Sequence, residues 1–165
     1  MLEVISFSSI LGSNSIPKMM KILGLFLGLI YISLTPLSAG ASDLHTAAKK
    51  GDIATITSLL DKGADIEART KEGETPLHSA AYKGNLDIIL ALLDRGADIE
   101  ARDENGDTPL HIAVQRRQSE AILSLLDRGA DAHAKNNKGK RAIDIANDRQ
   151  IEKDKAYQQL QAASK

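Results

Sequence analysis

Apolar and polar residues follow two different patterns along this chain. The thirteen positions from Ile22 to Leu34 carry no charge and are dominated by apolar side chains. Beyond Ser42, apolar residues instead recur at spacings of three and four, as in Leu86, Ile89 and Leu93, which places them on one face of a helix. The pattern predicts an N-terminal targeting or membrane segment followed by a domain of short amphipathic helices.

The N-terminal segment has the order of features typical of a secretory signal. Lys18 and Lys21 precede the apolar run, Pro36 ends any helix there, and Ala39-Gly40-Ala41 offers a small-x-small cleavage site. We therefore predict a signal peptide over residues 1–41, cleaved after Ala41, and a protein that is periplasmic or secreted. The form of the signal also suggests a bacterial source.

Two other interpretations of this segment stay open. No charge occurs from Ile22 to Ser42, so it could be an uncleaved membrane anchor, although Pro36 and Gly40 dilute its second half. It could also be a buried core helix, although it lacks an amphipathic stripe. Residues 1–18 are long for the start of a signal, and a start at Met19 or Met20 would give a more compact one. We therefore expect that the start codon is wrongly assigned.

The rest of the chain repeats itself every 33 residues. Three separate blocks share this register, which makes a chance origin very improbable. They are Gly63 to Arg69, which recurs at 96–102 and in altered form at 129–135; Gly73 to His78, which recurs at 106–111; and Leu59 to Gly63, which recurs at 92–96 and 125–129.

One unit can be interpreted from its own residues. Thr75 suits the N-cap of a first helix and Pro76 its first turn. Gly84 can take the left-handed conformation of a tight turn, and Gly96 ends the second helix. Each unit is predicted to be helix, turn, helix and projecting loop. A single unit cannot bury its apolar face alone, so the units must stack.

These residues resemble the ankyrin-repeat family, whose Thr-Pro-Leu-His signature stands at 75–78 and 108–111 and whose Gly-Ala-Asp signature recurs three times. The resemblance implies an all-α solenoid of four stacked helix–turn–helix units with β-hairpin fingers. The domain spans 42–165, and the outer two units act as caps. The units run over about 42–69, 70–102, 103–135 and 136–165. The family usually binds proteins through its fingers and concave helix face, without catalysis.

Composition narrows the possible functions. The chain has no cysteine, which excludes disulfides, thiolate zinc sites and thiol catalysis, and no nucleotide-binding or hydrolase motif is present. A net charge of −1 and 3% aromatics argue against nucleic-acid binding. His45, His78 and His111 share one repeat position, but stacked helices lie about 10 Å apart, too far to share one metal ion. The resemblance implies that this histidine is structural. We expect no enzyme activity, no cofactor and a monomer.

The candidate binding surface consists of positions that vary between repeats. Cations recur at the end of each predicted first helix, at Lys50, Lys83, Arg116 and Arg149, while the central fingers are mainly acidic. Tyr82 beside Lys83 is the leading single contact residue. The other predicted contacts, in fingers and helices, are Lys71, Glu72, Glu74, Glu104, Asn105, Asp107 and Gln115. These charges could equally be solvated faces.

We therefore expect an exported module that binds a protein partner. The alternatives are a secreted effector directed at a host, a membrane-tethered scaffold, and an inhibitor or accessory of a periplasmic enzyme. Arg117 and Gln150 replace the turn glycine in the third and fourth units, so we expect those turns to be looser or reshaped. Leu90 and Leu123 should be neighbours on the back face, where a second interface would be possible.

Overall fold

The computed structural model of the protein describes residues 37–148 and 155–165. The described residues contain eight helices and no β-strand. Residues 1–36 of the predicted signal, Arg149 and Gln150 lie outside the described residues. The helices are α1 (Leu37–Lys50), α2 (Ile53–Asp61), α3 (Pro76–Lys83), α4 (Leu86–Asp94), α5 (Pro109–Gln115), α6 (Ser119–Asp127), α7 (Ala142–Asp148) and α8 (Lys155–Ala163).

The helices pack as pairs in two layers. Each odd-numbered helix contacts the even-numbered helix that follows it, and α1, α3, α5 and α7 also pack in order against one another. The even-numbered helices α2, α4, α6 and α8 form the second layer in the same order. The predicted all-α stack of helix–turn–helix units is therefore confirmed.

Side-chain caps fix where several of the short helices begin. The hydroxyl oxygen of Thr75 caps α3 by accepting the backbone N–H of His78, and Pro76 occupies the first turn. The carboxylate of Asp52 caps α2 in the same way, accepting the N–H of Thr55 at 3.0 Å. Helices of seven to nine residues are not stable alone in water, so their packing against neighbouring units must hold them.

Between the layers lies one apolar core. Leu77, Ile88 and Leu92 of the second unit are at most 1% exposed, and burial of each such side chain contributes about 1.5–3 kcal/mol. Ala80 and Ala81 are fully buried on α3, and their small side chains allow the first helices of adjacent units to approach closely. The core is thus built between repeats as much as within them.

The turn of the third unit keeps its shape without glycine. Gly51 and Gly84 have φ values of +76° and +71° at this position, and Arg117 adopts +57°. Arg117 takes the left-handed conformation of the glycine it replaces, so the expectation of a looser or reshaped turn is corrected for this unit. That conformation costs about 1–2 kcal/mol for a residue with a Cβ.

The fingers between units are turns. The N–H of Thr70 donates to the carbonyl of Glu74 at 3.0 Å, and the N–H of Asp103 donates to the carbonyl of Asp107 at 3.0 Å. Adjacent fingers are linked by the N–H of Glu104, which donates to the carbonyl of Glu72 at 3.1 Å. The described residues thus do not confirm β-hairpins, because the backbone bonds within each finger stay inside the turn and no strand is present among these residues.

Helix α1 crosses the predicted cleavage point. Its backbone begins at Leu37, whereas Leu44, Ala47 and Ala48, which it buries in the core, all follow Ser42. The prediction of cleavage after Ala41 stays a prediction. Of the helices in the described part of the chain, none is long and apolar enough to cross a membrane.

Candidate protein-binding surface

A ladder of histidines holds the fingers against the helices. The Nε2–H of His45, His78 and His111 donates to the carbonyls of Glu74, Asp107 and Lys140 at 2.8, 3.0 and 3.0 Å. Each bond joins a helix to the finger that follows it, which confirms the structural role implied by the resemblance. The Nδ1 of His78 accepts the backbone N–H of Thr75 at 3.2 Å, so the neutral ring fits this site. Burial lowers the pKa of His78.

Side chains of the Gly-Ala-Asp segment also link neighbouring units. The carboxylate of Asp98 stabilises its own turn by accepting the N–H of Glu100 at 2.9 Å. The carboxylate of Glu100 in turn accepts the N–H of Asp131 in the next unit at 2.7 Å, and burial raises the pKa of Glu100. Bonds of this kind keep the fingers in a fixed position relative to one another.

Three of the four predicted cations lie at successive helix ends. Lys50 and Lys83 end α1 and α3, and Arg116 follows α5; all three are exposed. We call these three residues the basic stripe. None of them forms an ion pair with a carboxylate of the described residues, whereas the adjacent Lys49 pairs with Glu74 at 3.7 Å. The fourth predicted cation, Arg149, lies outside the described residues.

Tyr82 supports two cations of this stripe. The guanidinium carbon of Arg116 lies 3.8 Å from the centroid of the Tyr82 ring, and the ammonium of Lys83 lies 5.6 Å from it. Both distances are within the range of cation–π attraction. The ring is half-buried, so it holds the two charges in place and is not a fully free anchor.

The predicted finger residues are mostly accessible. Lys71, Glu72, Glu104 and Asn105 are exposed, and Glu74 is half-buried beside Lys49. Hydrogen bonds from its own backbone N–H and from the Thr70 hydroxyl lower the pKa of Glu72, so this carboxylate stays charged. The central fingers therefore carry exposed negative charge.

Asp107 has an internal position. It is 6% exposed, and its two carboxylate oxygens accept hydrogen bonds from the side-chain amides of Gln115 and Asn136, both at 2.7 Å. Asn136, which sequence reasoning missed, fixes the last described finger through this bond. Asp107 and Gln115 thus shape a polar cleft of about 280 Å³, and little of Asp107 is available to a partner.

The back face carries a shallower depression. Leu90 of α4 and Leu123 of α6 are half-buried and line one cleft together with Leu86. The predicted proximity of the two leucines is confirmed. Glu120, Asp127 and Arg128 line the same cleft, so this depression is not purely apolar.

The described surface offers charged and polar groups and no candidate metal site. Among the described residues, no group of three or more His, Asp or Glu side chains has a geometry that could hold a metal ion. The polar side chains of the fingers instead bond backbone groups of the next unit. What remains accessible is a row of cations, a supported aromatic ring and acidic turns.

The stacked helix pairs and their cross-linked fingers define a repeat solenoid. A family model described as ankyrin repeats (3 copies) matches residues 44–136, more than half of the chain. The chain belongs to the ankyrin-repeat family. Domains of this family are generally protein–protein interaction modules and are typically non-catalytic. No curated protein matches the chain.

Proposed function

We propose that this protein is an exported module that captures a protein partner between its basic stripe and its fingers, on the concave face. The observation that carries the proposal is the cluster of Tyr82, Lys83 and Arg116. These groups come from two adjacent units and are held by cation–π contacts at 3.8 and 5.6 Å. A preorganised aromatic and cationic cluster loses little freedom on binding, which favours affinity.

The rigidity of the fingers supports this surface as the binding site. Bonds from His45, His78 and His111 tie each finger to a helix. A partner would therefore meet acidic turns and cations at fixed separations. Complementary charge at fixed separations contributes specificity and association rate more than raw affinity.

Capture from native extract, compared between variants, tests the proposal. The double variant Tyr82→Ala with Lys83→Glu removes the ring and reverses one charge of the cluster. The wild type should retain a partner that this variant loses, with no change in helicity by circular dichroism. Lys62→Glu, a charge reversal at an exposed lysine just after α2, is the matched control and should retain it. Equal capture by both variants would contradict this site and direct the search to Leu90 and Leu123.

Export is a separate part of the proposal, supported by the order of basic, apolar and small residues in 1–41. Mass spectrometry of the mature amino terminus should find Ser42 first. Fractionation should place the protein in the periplasm or the medium. Retention of Met19 or Met20 together with membrane association would favour the tethered scaffold, and a purely cytoplasmic pool would contradict export.

A further inference from the structure

The three cations of the basic stripe have no carboxylate of the described residues within ion-pair distance. Ion pairs occur nearby, between Lys49 and Glu74 and between Lys140 and Asp148. Lys50, Lys83 and Arg116 form none with the described carboxylates. Each stands at the carboxyl end of a first helix, where a cation is favoured by the helix dipole. The dipole explains a cation at each end, but it leaves the outward side of each charge available.

The stripe also has a defined spacing. α1, α3 and α5 are packed in order, and packed helices are separated by about 8–10 Å between axes. The helix ends that carry the three cations therefore repeat at about this interval. The Tyr82 ring holds the guanidinium of Arg116 at one end of the row, which limits the freedom of that charge.

Few backbone conformations of a bound peptide bring a side chain back to the same face at this interval, once per turn. A polyproline II helix has three residues per turn and a rise of about 3.1 Å, so every third residue returns to one face after about 9.3 Å. On a β-strand the same face recurs after about 6.6 Å, which is too short. On an α-helix it recurs after about 5.4 Å, and only every seventh residue, at about 10.5 Å, matches.

We infer that the partner's binding segment is an extended acidic peptide in polyproline II conformation, with carboxylates at positions i, i+3 and i+6 that pair with Lys50, Lys83 and Arg116. This inference rests on the proposed function and adds the chemistry of the partner. Seven residues suffice to span three units. The acidic fingers, with Glu72 and Glu104, would exclude negative charge from the other sides of the segment, so the carboxylates must lie on one face.

Synthetic peptides of equal charge test the spacing. The probe repeats Glu-Pro-Ala four times; the comparison peptide has the same composition with its four glutamates consecutive. A helical peptide with four glutamates at every seventh position and a pentadeoxynucleotide with four phosphates complete the set. Titration calorimetry at low salt should give the period-three probe the tightest binding to the full chain, weakened as salt screens the charges. Equal or tighter binding of any other member would overturn the inference.

Two triple variants show where the peptide binds. The first variant combines Lys50→Gln, Lys83→Gln and Arg116→Gln. It should bind the period-three peptide about tenfold more weakly, which is the combined effect of three exposed charge pairs. The control variant combines Lys62→Gln, Lys155→Gln and Lys165→Gln, which removes the same amount of charge elsewhere. Its affinity for the peptide should stay within about twofold of the wild type. Equal weakening in both variants would contradict the stripe as the site.

The peptide experiments and the partner-capture experiment can fail independently of each other. If the native partner is lost by Tyr82→Ala with Lys83→Glu while no acidic peptide binds the wild type, the proposed surface stands and this inference fails. If the probe binds through the stripe while partner capture is indifferent to the double variant, the acidic-peptide site stands and the proposed use of the surface fails.

Discussion

The guanidinium carbon of Arg116 lies 3.8 Å from the centroid of the Tyr82 ring, across the boundary between two repeats. The two residues are far apart in sequence, so the contact exists only because α3 and α5 pack against each other. A cation–π pair at an exposed site contributes about 0.5–1 kcal/mol.

This contact should be measurable by a double-mutant cycle. Tyr82→Leu and Arg116→Gln are each expected to lower the free energy of unfolding, and the double variant by less than their sum, with a coupling of about 0.5–1 kcal/mol. Urea unfolding provides the measurement. The same cycle with Lys83→Gln should show a smaller coupling, since its ammonium is 5.6 Å from the ring. Additive effects of Tyr82 and Arg116 would contradict an energetic contact.

The left-handed turn at Arg117 offers a way to stabilise the protein. Arg117→Gly relieves a φ of +57°, whereas Arg117→Ala removes the same side chain and keeps the strain. We expect the glycine variant to be more stable than the alanine variant by about 1 kcal/mol, measured by thermal or urea unfolding. Comparing the two cancels any contact that the arginine side chain makes. Equal stability would show that this turn is unstrained.

Acidification should destabilise the fold through His78. In the unfolded chain its pKa has the ordinary value of 6.5, and burial lowers the pKa in the folded protein. Between these values the unfolded state binds more protons, so stability falls as the pH drops through 6.5 and levels off below the folded pKa. Unfolding curves from pH 8 to 5.5 should show this fall.

His78→Gln is the control for this pH dependence. Glutamine has no imidazole to titrate, so its unfolding free energy should change less over the same pH range. Its unfolding free energy at pH 8 should be lower than that of the wild type by about 1 kcal/mol, because glutamine cannot keep both the bond to the Asp107 carbonyl at 3.0 Å and the bond from the Thr75 N–H at 3.2 Å. An unchanged pH slope in the variant would assign the effect to another group.

Replacing the buried carboxylate of Asp107 by an amide should destabilise the protein unless Asn136 is changed to a carboxylate as well. Asp107→Asn places an N–H₂ group against the amide donors of Gln115 and Asn136, at a cost of about 1–3 kcal/mol. Adding Asn136→Asp restores complementary donors and acceptors and should recover most of this loss. Glu104→Gln, an exposed amide substitution on the same finger, should change stability by at most about 0.5 kcal/mol. Failure of the swap would show that the 2.7 Å contacts are not what stabilises the site.

The folded unit should survive cleavage after Ala41. Leu44, His45, Ala47 and Ala48 of α1 are buried, and all four are retained when the chain begins at Ser42. Chains beginning at Leu37 and Ser42 should therefore melt within a few degrees of each other. A chain beginning at Gly51 loses the burial of Leu44 and the bond from His45 to Glu74, and should melt roughly 5 °C lower or more. A large difference between the first two would mean that residues 37–41 stabilise the fold.

Several parts of the site could be predicted from the sequence because the same residues recur every 33 positions. The recurrence of Thr75-Pro76-Leu77-His78 at 33 residues specifies both the helix start and the neighbour it packs against. The exposed cations Lys50, Lys83 and Arg116 occupy one repeat position, so their alignment follows from the same interval. Arg149 and the signal segment remain predictions.

Other parts depended on contacts between units. Asp107 occupies the same repeat position as Glu74, which is half-buried beside Lys49, but Asn136, 29 residues later, bonds to the Asp107 carboxylate. Arg117 was expected to distort its turn, and instead the packed helices hold it at φ +57°. No local pattern distinguishes these outcomes, since Asn136 belongs to the next unit and Arg117 lies in the turn that must join α5 to α6.

The sequence by itself determined the repeat, the helix ends, the buried stripe and the row of cations, because each follows from local preferences repeated in one register. Only the tertiary structure decided which charges remain accessible. It turned Asp107 inward, paired Lys49 with Glu74, and placed the Arg116 guanidinium on the Tyr82 ring. The physical reason is that burial and pairing depend on the distance between atoms of different units, and that distance is set only when the helices pack.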